Sequence, residues 1–151
     1  MCTAHGLRAI SRASQVSQWV DSLGPYCLFV TVTARFASPS RSEFEAALRL
    51  LINRINRLCY GRQGRRGKRS VASFCVIEKG GSIGRLHAHL LLGRPPQLGV
   101  AGVREIVWKT LRKIRLFGYS DVRSYCRDRH APYVLKEGQD AILVDACRTA
   151  K

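Results

Sequence analysis

Acidic residues are scarce in this chain. It holds 10 aspartates and glutamates against 26 lysines and arginines, a formal net charge of +16 over 151 residues. Self-repulsion of that size opposes a compact fold unless a polyanion neutralises it, and nucleic acid is the usual polyanion. Arginine outnumbers lysine, which favours bidentate contacts with phosphates or bases over simple attraction between point charges. The composition therefore predicts a nucleic-acid partner.

Four common sequence signatures are also missing. The six cysteines form no Cys-x-x-Cys pair, which argues against a zinc ribbon or a redox motif. Cys27, Cys59 and Cys75 fall within apolar runs, as buried thiols do, so we expect a reducing, cytoplasmic compartment. No signal peptide is recognisable and no apolar run approaches the roughly 18 residues that span a bilayer, so we expect no membrane contact. A glycine-rich phosphate loop ending in Lys-Ser/Thr is absent too, so any DNA unwinding needs a separate protein.

The hydrophobic pattern predicts a single domain over 1–151, with a core over about 26–137 and a basic arm over 1–13. Residues 26–33 are apolar on both faces and predict a central strand. A capping box of Ser42 and Glu45 opens a long helix whose apolar stripe includes Leu58. The other predicted elements are a helix over 14–23, a basic loop over 61–69, strands over 71–78 and 85–93, a turn over 94–99, an amphipathic helix stopped by Gly118 and a strand over 119–125. The segment 127–136 is predicted to contain the start of a third helix, with Pro132 in its first turn. The order β-α-β-β-α-β-α, read from the central strand, predicts an α+β fold with a central antiparallel sheet and packed helices.

His87 and His89 are separated by a single small residue, Ala88. Because side chains alternate along a strand, both imidazoles point to one face, while Leu86, Ala88, Leu90 and Leu92 form the other. A buried imidazole pair needs a partner. The pair is either hydrogen-bonded within a polar pocket or bound to a metal ion, because imidazole is the commonest protein metal ligand.

Glu78 ends the preceding apolar strand, and the glycine-rich segment between the two strands is typical of a hairpin turn. A turn over 81–84 places Glu78 directly opposite His87, with His89 as its diagonal neighbour. A turn one residue longer sends Glu78 to the other face unless a bulge compensates. One carboxylate and two imidazoles suit Mg²⁺ or Mn²⁺ with open coordination positions, and the ligand types also permit Zn²⁺.

Tyr133 and Lys136 are one helical turn apart and share a face. Such a pair is either a packing tyrosine beside a surface lysine or part of a catalytic site. A phenolate can attack a phosphodiester and form a covalent phosphotyrosine. A nearby metal ion and cation would then stabilise the charge that develops on the phosphate.

Three motifs together resemble those of the HUH endonucleases, above all their replication-initiator (Rep) branch. They are Leu-Phe-Val-Thr-Val-Thr at 28–33, the segment 78–89 with Glu78 and the histidine pair, and Tyr-Val-Leu-Lys at 133–136. The resemblance implies a palm-like antiparallel sheet that carries the metal ligands and faces the Tyr133 helix. It further implies nicking of single-stranded or hairpin origin DNA through a 5′-phosphotyrosine, which leaves a 3′-hydroxyl to prime rolling-circle replication of a plasmid, phage or virus. Lys136 would contact the phosphate or orient the phenol.

The chain departs from the family pattern on the tyrosine helix. Pro132 precedes Tyr133 and is expected in the first helical turn, which places the tyrosine near the helix start. No second tyrosine follows on that helix, so a single-tyrosine mechanism is implied, with Tyr125 as a reserve nucleophile. A host helicase and polymerase would complete replication.

Basic residues near the predicted loops are the candidates for nucleic-acid contact. They are Arg35, Arg62, Arg65, Arg66, Lys68, Arg69 and Arg85, and they predict phosphate contact without base choice. A transposase of the same superfamily and a non-catalytic nucleic-acid-binding protein with structural histidines are the alternatives. His5, His130 and Trp19 receive no functional assignment.

Overall fold

The computed structural model describes residues 12–37, 39–80, 84–136 and 138–151. Its helices are α1 (Arg12–Leu23), α2 (Arg41–Tyr60), α3 (Arg62–Arg65), α4 (Val100–Leu111) and α5 (Arg127–Leu135), and its strands are β1 (Leu28–Ala34), β2 (Ser73–Gly80), β3 (Arg85–Leu92) and β4 (Phe117–Ser124). The strands form one antiparallel sheet in the order β2-β3-β1-β4. The predicted α+β class is therefore confirmed, and β1 is an interior strand as expected. Most of the predicted basic arm, including His5, lies outside the described residues.

Several predicted boundaries are wrong. The capping box of α2 is formed by Ser40 and Glu43, because the helix begins at Arg41 and Ser42 already lies in its first turn. The Ser40 hydroxyl accepts a hydrogen bond from the Glu43 amide, and the Ser40 amide donates to the Glu43 carboxylate. Glu45 pairs instead with basic side chains one turn away on either side.

The segment after α2 is also more ordered than predicted, because it contains the short helix α3. Gly118 does not stop the second amphipathic helix: α4 ends at Leu111, and Gly118 lies within β4. Leu58 is 52% exposed, although the apolar stripe of α2 predicts it to be buried. Asn56 takes an inward position instead, and its Oδ1 accepts a hydrogen bond from the Val71 amide at 2.8 Å.

Pro132 lies inside α5 and not in its first turn, because the helix begins five residues earlier, at Arg127. Tyr133 is consequently in the last turn of the helix and not near its start. A proline at this point removes one i to i−4 hydrogen bond, and α5 ends three residues later, at Leu135.

The sheet separates two apolar layers. On one face, alternate residues of β1 (Leu28, Val30 and Val32) are completely buried against α2 and α4. Removing each such side chain from water stabilises the fold by roughly 1.5–3 kcal/mol. On the other face, Phe29 packs in a second cluster, with side chains of α1 and with Val134 of α5. The histidines and Glu78 point to this second face, because they alternate with buried residues of the first.

The C-terminal segment covers the open edge of β2. The Leu143 amide donates to the Cys75 carbonyl at 2.9 Å, and Ser73 and Arg148 form two backbone hydrogen bonds of 2.8 Å. These contacts satisfy groups that an exposed edge strand leaves unpaired. Buried side chains in this segment include Ala141, Leu143 and Ala146.

The five cysteines in the described ranges are free thiols. Cys59 and Cys75 are buried as predicted, and burial raises the pKa of both. Cys27 is only half-buried, because it precedes β1 and does not lie within it. Among the described helices, none is both long enough and apolar enough to span a bilayer.

Candidate metal and tyrosine site

The β2–β3 hairpin brings the predicted carboxylate and imidazoles onto one face. Glu78 lies directly opposite His87, and Val76 lies opposite His89. This is the register predicted from a turn over 81–84, of which residues 81–83 lie outside the described ranges. The prediction that Glu78, His87 and His89 share a face is therefore confirmed.

The three side chains form a compact ligand group. Glu78 Oε2 lies 2.8 Å from His87 Nε2 and 3.6 Å from His89 Nε2. One ligand atom from each residue lies within 4.8 Å of the others, so the group could bind a divalent metal ion. Glu78 and His89 are only 4% and 3% exposed, whereas His87 is half-buried. The group is thus enclosed at its base and open on the His87 side.

Two polar atoms of this group are buried without a hydrogen-bond partner among the described residues: Glu78 Oε1 and His89 Nε2. Buried polar atoms are normally paired, and each unpaired one costs about 1–3 kcal/mol. A divalent cation between the three side chains would satisfy both atoms, so the donor set fits a metal ion.

The environment of His89 favours a neutral imidazole. Burial, opposed by the charge of Glu78 and assisted by the charges of His87 and Lys136, lowers its pKa to about 4. His89 Nδ1 lies 3.1 Å from the Thr31 hydroxyl. If Nε2 held a metal ion, the ring proton would be on Nδ1 and would be donated to Thr31 Oγ1, which would fix the ring orientation.

Gly80 leaves room for the imidazole of His87. A Cβ atom at this position would lie 2.7 Å from His87 Nδ1, closer than real contacts allow. Any side chain at position 80 therefore displaces His87 relative to Glu78. This glycine is required by a close approach and not by its backbone conformation.

Helix α5 places the predicted nucleophile beside the ligand group. The Tyr133 and His89 rings pack edge to face with centroids 4.9 Å apart, and Tyr133 is 41% exposed. Just beyond the helix end, Lys136 Nζ lies 4.1 Å from the Tyr133 ring centroid and 3.4 Å from Glu78 Oε2. All five residues predicted for catalysis and metal binding are thus brought together.

Lys136 remains a cation in this setting. Partial burial opposes its charged form, but hydrogen bonding to Tyr133 and the charge of Glu78 outweigh that effect and raise its pKa. Its ammonium group links the carboxylate to the phenol ring.

Four contacts at the site were not predicted from the sequence. Phe29 stacks between His130 at 4.2 Å and His89 at 5.4 Å, and Thr31 holds His89 as described above. His130 Nδ1 also accepts a hydrogen bond of 2.9 Å from the amide of Cys126, the residue that precedes α5. Burial lowers the pKa of His130, so the ring is suited to accept that hydrogen bond. The sequence shows that residues 29, 31 and 33 lie on one face of their strand. It does not show that this strand pairs with β3 and so brings these residues beside the histidines.

An open cavity of about 340 Å³ adjoins Tyr133. Its walls comprise Phe29, Thr31, His89, Tyr119, Asp121, Arg123, Arg129, His130 and Tyr133. The cavity thus offers exposed aromatic surface, with Tyr119 66% exposed, and two arginines in its walls, of which Arg123 pairs with Asp121. The reserve tyrosine, Tyr125, packs edge to face against Tyr26 at 5.5 Å, and burial raises its pKa.

The predicted nucleic-acid contacts divide into two groups. Arg35 follows β1 and Arg85 begins β3, so both lie at the end of the sheet that carries the ligand group. The remaining five lie between α2 and the start of β2, at the opposite end of the sheet: Arg62, Arg65, Arg66, Lys68 and Arg69. Trp19 packs edge to face on Phe74 at 5.9 Å and belongs to the second apolar layer.

Comparison of the chain with known protein families, with curated proteins and with solved structures finds no match.

Proposed function

We propose that this protein is a metal-dependent nickase and strand-transferase of the HUH type, acting on single-stranded or hairpin origin DNA in rolling-circle replication. The observation that carries the proposal is the meeting of Glu78, His87 and His89 with Tyr133 and Lys136. These residues come from two different parts of the chain, separated by more than forty positions. A structural histidine pair requires neither an adjacent exposed phenol nor a retained lysine cation.

Glu78, His87 and His89 would hold Mg²⁺ or Mn²⁺, which when bound supplies polarisation of the scissile phosphate. The ion pair between Lys136 and Glu78 and the hydrogen bond from His89 to Thr31 keep the donor atoms oriented. Burial of Glu78 limits the access of water to the base of the group.

Tyr133 supplies the nucleophile. Its phenolic oxygen forms a bond to phosphorus while the bond from phosphorus to the 3′-oxygen of the neighbouring nucleotide breaks. The phenol loses its proton and the departing 3′-oxygen gains one, so the products are a 5′-phosphotyrosine and a free 3′-hydroxyl. Lys136 is placed to offset the negative charge that develops on the phosphate and to orient the phenol.

The cavity beside Tyr133 supports a nucleotide ligand. Aromatic faces stack with bases of any sequence, and arginines contact the backbone. Tyr119 supplies the exposed ring and Arg129 supplies a cation, while Arg123 is paired with Asp121 of the same cavity. A single strand of DNA bound in this cavity would bring one of its phosphates to the phenolic oxygen of Tyr133.

A covalent-capture experiment tests the proposal. The protein is incubated with Mn²⁺ and a randomised single-stranded DNA library, and covalent adducts are separated on a denaturing gel. We expect an adduct with the wild type that is lost in EDTA and in Tyr133→Phe. Tyr119→Phe is the matched control, because it removes a phenolic hydroxyl from the same cavity, and it should retain the adduct.

An adduct that survives Tyr133→Phe contradicts the assigned nucleophile. Absence of an adduct in the wild type, together with unchanged DNA affinity in His87→Ala, would favour a non-catalytic nucleic-acid-binding protein instead.

A further inference from the structure

Two adjoining cavities open on the outer surface of α2. The first, of about 400 Å³, lies between α2 and α4, and the second, of about 550 Å³, lies between α2 and the segment that contains α3. Arg54 and Arg57 line both cavities and join them into one surface. We name this surface the outer basic groove.

The groove is lined by cations and by no carboxylate among the described residues. Lys109 and Lys113 complete the first cavity, and Arg65, Arg66 and Arg148 contribute to the second. Within the described ranges, no Asp or Glu forms an ion pair with Arg54, Arg57, Lys109 or Lys113. Arg49 on the same helix, in contrast, pairs with Glu45 and Asp145. The groove therefore concentrates positive charge that the fold leaves without an opposite charge.

We propose that the outer basic groove binds the phosphate backbone of duplex DNA. Phosphates along a backbone release condensed counterions when lysine or arginine neutralises them, and this compensates for the mutual repulsion of clustered cations. The groove is built largely on two packed helices, so its cations are held at fixed spacing on a rigid support.

The composition of the groove favours a duplex over a single strand. Single-strand sites combine cations with aromatic side chains on which the bases stack. Among the described residues that line the groove there is no Phe, Tyr or Trp, and the apolar contribution is aliphatic, from Leu50 and Leu58. A surface of cations without stacking partners matches a duplex, whose bases are already stacked and whose phosphates face outward.

The groove and the candidate active site lie on opposite sides of the sheet. α2 and α4 pack on the face formed by Leu28, Val30 and Val32, and their outer surfaces carry the groove. The ligand group lies on the other face, towards α5. A duplex arm in the groove thus leaves the Tyr133 cavity free for a single strand of the same DNA. This inference goes beyond the proposed function and does not require that the protein cleave DNA.

Binding measurements in EDTA test the groove independently of cleavage. The fluorescence anisotropy of a labelled duplex of arbitrary sequence, and of one of its strands, is followed with the full chain between about 50 and 200 mM salt. The variants are Arg54→Gln with Lys109→Gln, and, as the matched control, Arg112→Gln with Arg115→Gln. The control removes two exposed charges that line neither cavity. Thermal melting verifies that both variants are folded.

The slope of log K against log salt is negative, and we expect the groove variant to make it less steep for the duplex by about 2, roughly one for each phosphate contact removed. At about 0.1 M salt, this corresponds to a loss of roughly one order of magnitude in duplex affinity for each charge. The control should retain the wild-type slope, and single-strand binding should change less than duplex binding.

A duplex slope equal to that of the wild type overturns the proposal and would point to a different occupant, such as an acidic protein. If the groove variant loses affinity equally for the duplex and for the single strand, the proposal that the groove prefers duplex DNA is overturned. Because neither readout needs metal or cleavage, failure here is distinguishable from failure of the nickase proposal.

Discussion

Metal-dependent stabilisation should depend on the carboxylate of Glu78. Glu78 Oε1 and His89 Nε2 are buried without a hydrogen-bond partner among the described residues. An ion that binds the folded state alone stabilises it by RT ln(1 + [L]/Kd), about 2.7 kcal/mol at one hundred times Kd. For a chain of this size, 1 kcal/mol shifts the melting temperature by about 2–4 °C. We therefore expect saturating Mn²⁺ to raise the melting temperature of the wild type by roughly 5–10 °C.

Glu78→Gln should abolish that increment. The amide has nearly the shape of the carboxylate and can still hydrogen-bond His87 Nε2, but it carries no charge and is a poor ligand for a hard cation. Removal of a buried charge also lowers the cost of desolvation, so the metal-free variant should melt within a few degrees of the wild type. The assay is thermal melting in EDTA and in MnCl₂, with Glu105→Gln on the exposed face of α4 as the control. An increment retained in Glu78→Gln, or none in the wild type at millimolar Mn²⁺, would refute the reasoning.

Three further substitutions have defined outcomes. Thr31→Val removes the oxygen that orients the His89 imidazole and should weaken Mn²⁺ binding by roughly 10- to 100-fold in calorimetric titrations. Unchanged Mn²⁺ affinity would show that this contact has no effect on the site. Gly80→Ala should weaken Mn²⁺ binding by about tenfold or more, because its methyl group displaces His87, while metal-free melting stays close to the wild type. Ser40→Ala should destabilise the fold by about 0.5–2 kcal/mol in denaturant titrations, whereas Ser42→Ala should destabilise it by less than about 0.5 kcal/mol. The reverse order would show that Ser42 and Glu45 form the capping box, as the sequence predicts.

The hairpin with its ligand group was predictable because local rules suffice there. The strand period of two and the length of the turn together set Glu78 opposite His87, and no distant part of the chain is needed for that register. The interior position of β1 followed similarly from its two apolar faces.

The wrong boundaries arose where two local signals compete. Ser-x-x-Glu occurs at both 40–43 and 42–45, and only the packing of the completed α2 decides between them. Pro132 favours a helix start by its local preference for the first turn. Tertiary contacts of Val134 and His130 with the sheet instead keep α5 helical on both sides of the proline.

Contacts between distant segments could not be read from the sequence. Thr31 reaches His89 only because β1 pairs with β3, and the sequence does not specify that register. Asn56 is buried because its side chain caps the Val71 amide fifteen residues away. The placement of Arg65 and Arg66 in the outer basic groove, and of Arg35 and Arg85 at the end of the sheet near the ligand group, likewise depends on the arrangement of helices and strands.

The central claim is that the phenol of Tyr133 attacks a DNA phosphate beside the Glu78, His87 and His89 group. Its most direct test is peptide mapping by mass spectrometry of the wild-type protein after reaction with Mn²⁺ and single-stranded DNA, followed by nuclease digestion. We expect a nucleotide attached through its 5′-phosphate to the peptide that contains Tyr133, and only when metal is present. A nucleotide on Tyr119 or Tyr125, or one attached equally well in EDTA, would contradict this claim.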